Sequence, residues 1–299
     1  MAACIQISNL TKCYGPVVAV GGLSLDIEQG EVVGLLGPNG AGKSTTLYML
    51  SGLCPATSGG ITVFGKDLHK SFLDVAPRMG VVVERPAFYD YMSARRNLLL
   101  LASLSRREVA VDQALDRVGL LYAANRRVAG FSQGMRQRLG IAQALMTEPE
   151  LLILDEPANS LDAETAQDVL RMLRMLATEA RVTIVVASHM LHEVETLCNR
   201  VAILNRGRLV ACEPTDSLLS YDQSQVDVLV DAPEAAARRL REQDWVESAE
   251  QTGGRVAVRL ANANVHQLTA FLVSGGYKVA GVIPRRRTLR DYFLKVLNS

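Results

Sequence analysis

The 299-residue sequence predicts an α/β core carrying a helical insertion, followed by a smaller α+β domain. Three observations carry this expectation. Apolar runs of strand length at residues 151–154 and 182–187 flank a helical pattern, as central strands of a sheet covered on both faces do. Residues 86–146 are rich in leucine and arginine, poor in β-branched residues, and read as helices set into that core. Beyond residue 220 the pattern restarts with a shorter period of strands and helices.

Taken in order, residues 31–36 are a short apolar strand that ends at a glycine-rich turn, and residues 43–53 read as the helix after it. Residues 81–83 form another strand, and the helical insertion has a glycine-bounded break near Gly130. Residues 163–178 place leucines and methionines at helical spacing, a core-packing pattern rather than a cofactor box. Tyr221, Asp222, Gln223, Ser224 and Gln225 read as a linker. Strands are then expected at 226–230, 245–249, 255–260 and 278–283, and helices at 233–242 and 265–274. That β-α-β-β-α-β order is ferredoxin-like, and a last helix at 288–297 closes the chain. The expected domains are residues 1–220 and 223–299.

Composition excludes several classes. Apolar residues are 48% and charged residues 21%, so neither a disordered nor a fibrous chain is indicated. Lys plus Arg number 32 against 31 Asp plus Glu, without the basic excess of a dedicated nucleic-acid binder, so no nucleic-acid partner is expected. Mean hydropathy is slightly high at +0.13, yet no apolar run approaches the roughly 18 residues of a spanning helix. The opening MAACIQISNLTK has no basic region followed by an apolar run, so no secretory signal is expected. Cys4, Cys13, Cys54, Cys198 and Cys212 lack CxxC spacing and read as reduced, mostly buried thiols of a cytosolic protein. Arg285, Arg286 and Arg287 read as a solvated turn.

Chemistry enters at Gly37, Pro38, Asn39, Gly40, Ala41, Gly42, Lys43, Ser44 and Thr45, which fit GxxxxGK[ST] between a strand and a helix. Glycines let successive backbone N–H groups turn toward phosphate oxygens, and the following helix adds the positive end of its dipole. Lys43 offers a mobile ammonium to the phosphates, and the Ser44 hydroxyl suits Mg²⁺. At the end of the 151–154 strand stand Asp155 and Glu156, where α/β sheets gather ligands. Asp155 suits the metal, and Glu156 suits orienting and deprotonating an attacking water.

With these motifs in place, residues 4–215 resemble the ATP-binding cassette ATPases, the nucleotide-binding subunits of ABC transporters. Phe131 to Arg138 (FSQGMRQR) looks like the family's signature motif, Asn159-Ser160-Leu161-Asp162 like its D-loop, and His189 like its switch histidine. Tyr14 falls where the family stacks an aromatic ring on adenine. The resemblance implies that two cassettes face each other head to tail, each ATP held between one chain's phosphate loop and its partner's signature motif. Ser132, Gln133 and Gly134 would meet the partner's nucleotide, and His189 the γ-phosphate in its own chain. Glu84 stands where glutamine usually contacts Mg²⁺, Gln133 and Phe131 where the signature usually has glycine and leucine, and Ser160 where the D-loop usually has glycine.

Glu84 followed by Pro86, and the form of the signature, are similar to bacterial cassettes of the bacitracin and daunorubicin resistance type. The expected function is therefore an ATP hydrolase that powers a separate transmembrane permease, for drug or peptide export, from the cytoplasmic face of the membrane. Homodimerisation, ATP and Mg²⁺ follow from the same resemblance. Two competitors are a soluble ATPase acting on ribosomes or nucleic acid and a nucleotide-gated regulator with little turnover. The first is disfavoured because no heptad run separates Lys43 from Asp155; Gln133 and Glu84 are the motive for the second.

Overall fold

A computed structural model describes residues 3–83, 86–104, 109–159, 161–219, 221–262, 264–286 and 288–298. The chain divides into two compact units, Met1–Thr215 with Val296–Ser299 and Asp216–Lys295.

In the first unit, β1 (Ala3–Tyr14) and β2 (Val17–Glu28) form an antiparallel hairpin. β3 (Val32–Leu36) leaves for a second sheet and runs into α1 (Lys43–Leu50). β4 (Ser58–Val63) and β5 (Lys66–Asp67) return to the first sheet, whose order is β2-β1-β4-β5. After α2 (Phe72–Val75) and β6 (Met79–Val82) come the insertion helices α3 (Ala94–Ala102), α4 (Val111–Arg117) and α5 (Gln133–Leu145). The core resumes with β7 (Leu151–Asp155), α6 (Ala163–Glu179), β8 (Thr183–Ser188), α7 (Leu191–Leu197), β9 (Arg200–Asn205) and β10 (Arg208–Pro214). The second sheet has the order β10-β9-β3-β8-β7-β6, parallel throughout except for its antiparallel edge strand β10.

Every residue of β3 and β8 is buried, as is β7 up to Leu154. At roughly 1.5–3 kcal/mol for each fully buried aliphatic side chain, these strands anchor the core. Helix starts are fixed by short polar side chains: Ser93 accepts from Arg96 N–H, Ser132 from Met135 N–H and Asp162 from Thr165 N–H. Where α5 crosses the sheet, backbones approach closely. A Cβ at Gly80 would overlap the Ala144 carbonyl oxygen, and one at Gly140 would overlap the Pro86 ring.

The second unit contains β11 (Tyr221–Val230), α9 (Pro233–Arg241), β12 (Val246–Thr252), β13 (Arg255–Leu260), α10 (Val265–Ser274) and β14 (Val279–Arg286), and the division falls within α8 (Thr215–Leu218) and within α11 (Leu289–Asn298). Its sheet is antiparallel with the order β12-β13-β11-β14, that of a split β-α-β unit. Val226, Val228, Leu240, Val256, Leu268 and Leu272 form a core of its own.

Four expectations need correction. Residues 221–225 are no linker but the start of β11: Tyr221 and Asp222 pair with Arg286 and Arg285, and Gln225 with Arg259. Pairing on both sides makes strand of a segment whose polarity mimics a loop. For the same reason Arg285 lies in β14, its guanidinium 2.9 Å from Asp227, rather than in a turn; Arg287 lies outside the described residues. α1 stops at Leu50, because the chain turns at Gly52 (φ +74°), where the Phe72 ring occupies the space of a side chain. Only Cys4 and Cys198 are buried; Cys13, Cys54 and Cys212 are half-buried, and all five are free thiols.

Candidate functional site

Three adjacent parallel strands end level with one another. Leu36 of β3 pairs with Ser188 of β8, and Ala187 with Asp155 of β7. The segments that leave these strands therefore begin side by side at the carboxyl edge of the sheet: residues 37–45, Glu156 and His189. β6 ends in the same register, Val82 opposite Leu154, so the residues after it leave from the same edge. Glu84 itself lies outside the described residues.

Residues 37–42 form a compact loop that runs into the first turn of α1 at residues 43–45. Gly37 is buried while Pro38, Asn39 and Gly40 are exposed, and Ala41 N–H donates to Pro38 O at 3.1 Å. Gly42 sits at φ +100°, and a Cβ there would lie 2.6 Å from the carbonyl oxygen of Ala19 in β2. Only glycine meets both demands. The Lys43 ammonium donates to Gly37 O at 2.7 Å and to Pro38 O at 3.2 Å, folding back over the loop. Burial lowers its pKa, and the nearby Glu156 and Asp155 carboxylates act against that shift. Ser44 hydrogen-bonds the Asp155 carboxyl group, whose pKa burial raises in spite of Ser44 and Lys43. Thr45 is half-buried in the first turn of α1, and Thr46 Oγ1 donates back to Gly42 O at 2.8 Å.

Glu156 adopts φ +51°, a left-handed conformation uncommon for any residue but glycine, and its N–H donates to Ala187 O at 2.9 Å. His189 Nδ1 lies 2.7 Å and 2.8 Å from the two carboxylate oxygens of Glu156. An ionised carboxylate can only accept, so Nδ1 carries a proton and donates. Behind this pair stands another that the sequence did not reveal. The buried Ser188 hydroxyl donates to Oε2 of Glu193 at 2.6 Å and accepts from Met190 N–H at 3.0 Å. Burial raises the Glu193 pKa, with the Ser188 bond opposing. A carboxylate beside Val194 on a face otherwise apolar was the available signal.

Ser132, Gln133 and Gly134 form a separate group at the start of α5. Ser132 and Gln133 are exposed, and Gly134 lies beside Leu161 and Thr165 at the start of α6. Asn159 N–H donates to Glu156 O at 3.1 Å, and hydrogen bonds from Thr165 hold the Asp162 pKa below its ordinary value. Ser160 is outside the described residues. Tyr14 is half-exposed at the β1–β2 hairpin, its hydroxyl 3.5 Å from Cys54 Sγ and its ring centroid 5.0 Å from the Lys12 ammonium. The hairpin is tied to the loop after β3 through Gly207, whose carbonyl accepts from Gly21 and whose N–H donates to Ala41 O.

Among the described residues no group of three or more His, Cys, Asp or Glu side chains could hold a metal by itself. Asp155 and Ser44 nevertheless offer two hard oxygens in contact at the foot of the loop. That donor set fits Mg²⁺, which is usually held by one or two protein groups and completed by phosphate and water. Among the described residues no helix is long and apolar enough to cross a membrane.

Comparison with known proteins identifies the family. The ABC transporter family model matches residues 20–159. Over its full length the chain is 37% identical to the bacitracin transport ATP-binding protein BcrA of Bacillus licheniformis, covering 99% of that protein. The chain belongs to the ATP-binding subunits of ABC transporters. Such a cassette is an ATPase that energises a separate permease. The cassette is also 37% identical, over 72% of its length and 71% of its relative's, to the linearmycin resistance ATP-binding protein LnrL of Bacillus subtilis (strain 168). Among solved structures it is similar to a dimeric ATP-binding cassette in a post-hydrolysis state bound to ADP and Pi, with a TM-score of 0.64 and 25% identity, over 71% of this chain and 98% of that one.

Proposed function

We propose that this cassette binds Mg²⁺-ATP between two copies and hydrolyses it to drive export of an antibiotic or peptide through a separate permease, from the cytoplasmic face of the membrane. The observation that carries the reading is the pairing of His189 with Glu156 at the edge where the phosphate loop begins. The relatives' names, bacitracin transport and linearmycin resistance, support the cargo class.

In this reading Tyr14 stacks on adenine, and the backbone N–H groups of residues 37–45 cradle the β- and γ-phosphates with Lys43 turned onto them. Ser44 and Asp155 would hold Mg²⁺, with Glu84 as a further oxygen ligand, and the bound ion would supply positive charge beside the phosphates. Glu156 accepts a proton from water as its oxygen bonds to the γ-phosphorus, and the bond from that phosphorus to the bridging oxygen breaks to leave ADP and phosphate. His189, holding Glu156 through Nδ1, presents Nε2 to the γ-phosphate. Ser132, Gln133 and Gly134 at the start of α5 close the partner's nucleotide.

Phosphate release by the purified chain tests this directly. Glu156→Gln is expected to bind ATP, accumulate as a dimer and turn over at least about a hundredfold more slowly. Wild-type turnover by that variant would remove Glu156 from the role of base.

A further inference from the structure

Why does the cassette bury a carboxylate at Glu193? Its residue is 8% exposed, and burial opposes ionisation there. Val194 and Leu197 on the same short helix bury apolar side chains, so packing alone does not call for a charge. The side chain instead closes a chain of hydrogen bonds around His189. Met190 N–H donates to Ser188 Oγ at 3.0 Å, and Ser188 Oγ–H donates onward to Glu193 Oε2 at 2.6 Å. Glu193 N–H in turn donates to Met190 O at 3.1 Å. The pattern is that of a capping box in which a hydroxyl relays between the third helical residue and the backbone before the helix. Residues on both sides of His189 are thus tied to Glu193, Ser188 through its carboxylate and Met190 through its backbone N–H, while the imidazole lies against Glu156.

We propose that Ser188 and Glu193 are a positioning pair that sets His189 against Glu156 for ATP hydrolysis, without touching nucleotide themselves. The inference rests on the catalytic reading of Glu156 and His189 given above. Ser188 enters the register of the sheet opposite Leu36, the residue before the phosphate loop. A turn clamped at Ser188 therefore fixes the imidazole relative to that loop, and a small misplacement of a reacting group is costly.

The test uses the full chain with Mg²⁺ and ATP, measuring kcat, KM and the melting temperature together. Ser188→Ala and Glu193→Ala are each expected to lower kcat about tenfold or more with KM within about twofold, because the loss falls on the transition state and not on ATP binding. Glu193→Gln keeps an acceptor oxygen and is expected to retain kcat within about threefold of wild type. The double alanine variant is expected to be no slower than the slower single variant, since both remove one bond. In nitrogen-15 spectra the His189 Nδ1–H signal is expected to shift or broaden in Ser188→Ala, a readout independent of turnover. Unchanged kcat and an unchanged His189 signal in Ser188→Ala, with only a lower melting temperature, would reduce the pair to a helix cap and overturn the proposal. Should Glu193→Ala fail to fold, Ser188→Ala and Glu193→Gln decide the matter. Glu156→Gln and His189→Ala run beside them: if these turn over normally, the catalytic reading falls. If they are inactive while Ser188→Ala is not, only the positioning pair falls.

Discussion

Glu156 combines a reactive side chain with a backbone in the left-handed region at φ +51°. A non-glycine residue there costs roughly 1–2 kcal/mol, and such strain gathers where the surrounding structure fixes a functional group. Glu156→Gly is therefore expected to melt above Glu156→Ala, although both lose the proposed base, and calorimetry on the two variants reads the difference. Glu193 makes a pH-dependent contribution. Its pKa lies above the ordinary value of 4.5, so the unfolded chain releases this proton before the native one does. Native stability then falls as pH rises from about 4.5 through the raised value, because the native state binds more protons over that interval. Glu193→Gln is expected to remove this slope, so that its melting temperature gains on the wild type as pH is raised. A parallel course of the two melting curves with pH would contradict the sign.

At the scale of elements, α5 has two functions in one sequence. Its first residues are the proposed contact with a partner's nucleotide, and its middle packs so closely that Gly140 meets Pro86 and Ala144 meets Gly80. Gly140→Ala is expected to cost about 1–3 kcal/mol by overpacking, read by urea denaturation of the full chain. The contact also ties the signature helix to the residues just beyond Glu84, a mechanical connection between the insertion and the edge of the core sheet. Ser132 caps α5 through Met135 N–H. Ser132→Ala is expected to cost about 1 kcal/mol through the lost cap, whereas Ser132→Asn restores the cap without restoring the hydroxyl. Comparing ATP-dependent dimerisation of the two variants with their stabilities separates the cap from the nucleotide contact.

The whole molecule has a separate hydrophobic core in each unit, one around Leu35, Leu47 and Ile153 and one around Val228, Leu240 and Leu268. Truncation in one core should be felt there first. Leu268→Ala is expected to lower the stability of the second unit by about 2–5 kcal/mol, and Leu35→Ala that of the first by a similar amount. Calorimetry should resolve two transitions that respond selectively, and a single transition shifted equally by both substitutions would contradict this. The sequence pattern located β13 and α10 to the residue, because alternation and helical spacing are local and each element has turn residues at its ends. It missed the start of β11, where polar residues become strand only because β13 and β14 lie alongside.

What the sequence supplies by itself is the residues of the proposed chemistry: the glycine-rich loop with Lys43 and Ser44, the acid pair at the end of a buried strand, and the histidine after the next one. Those are short-range patterns, set by which residue types can cradle phosphate or accept a proton. Only the tertiary structure decided that Leu36, Asp155 and Ser188 end level and that Ser188 and Glu193 close behind His189. Strands buried on both faces are apolar at every position, so their side chains carry no alternation from which a register can be read. That register is set by hydrogen bonds between segments far apart in the chain, and it turns three separate motifs into one site.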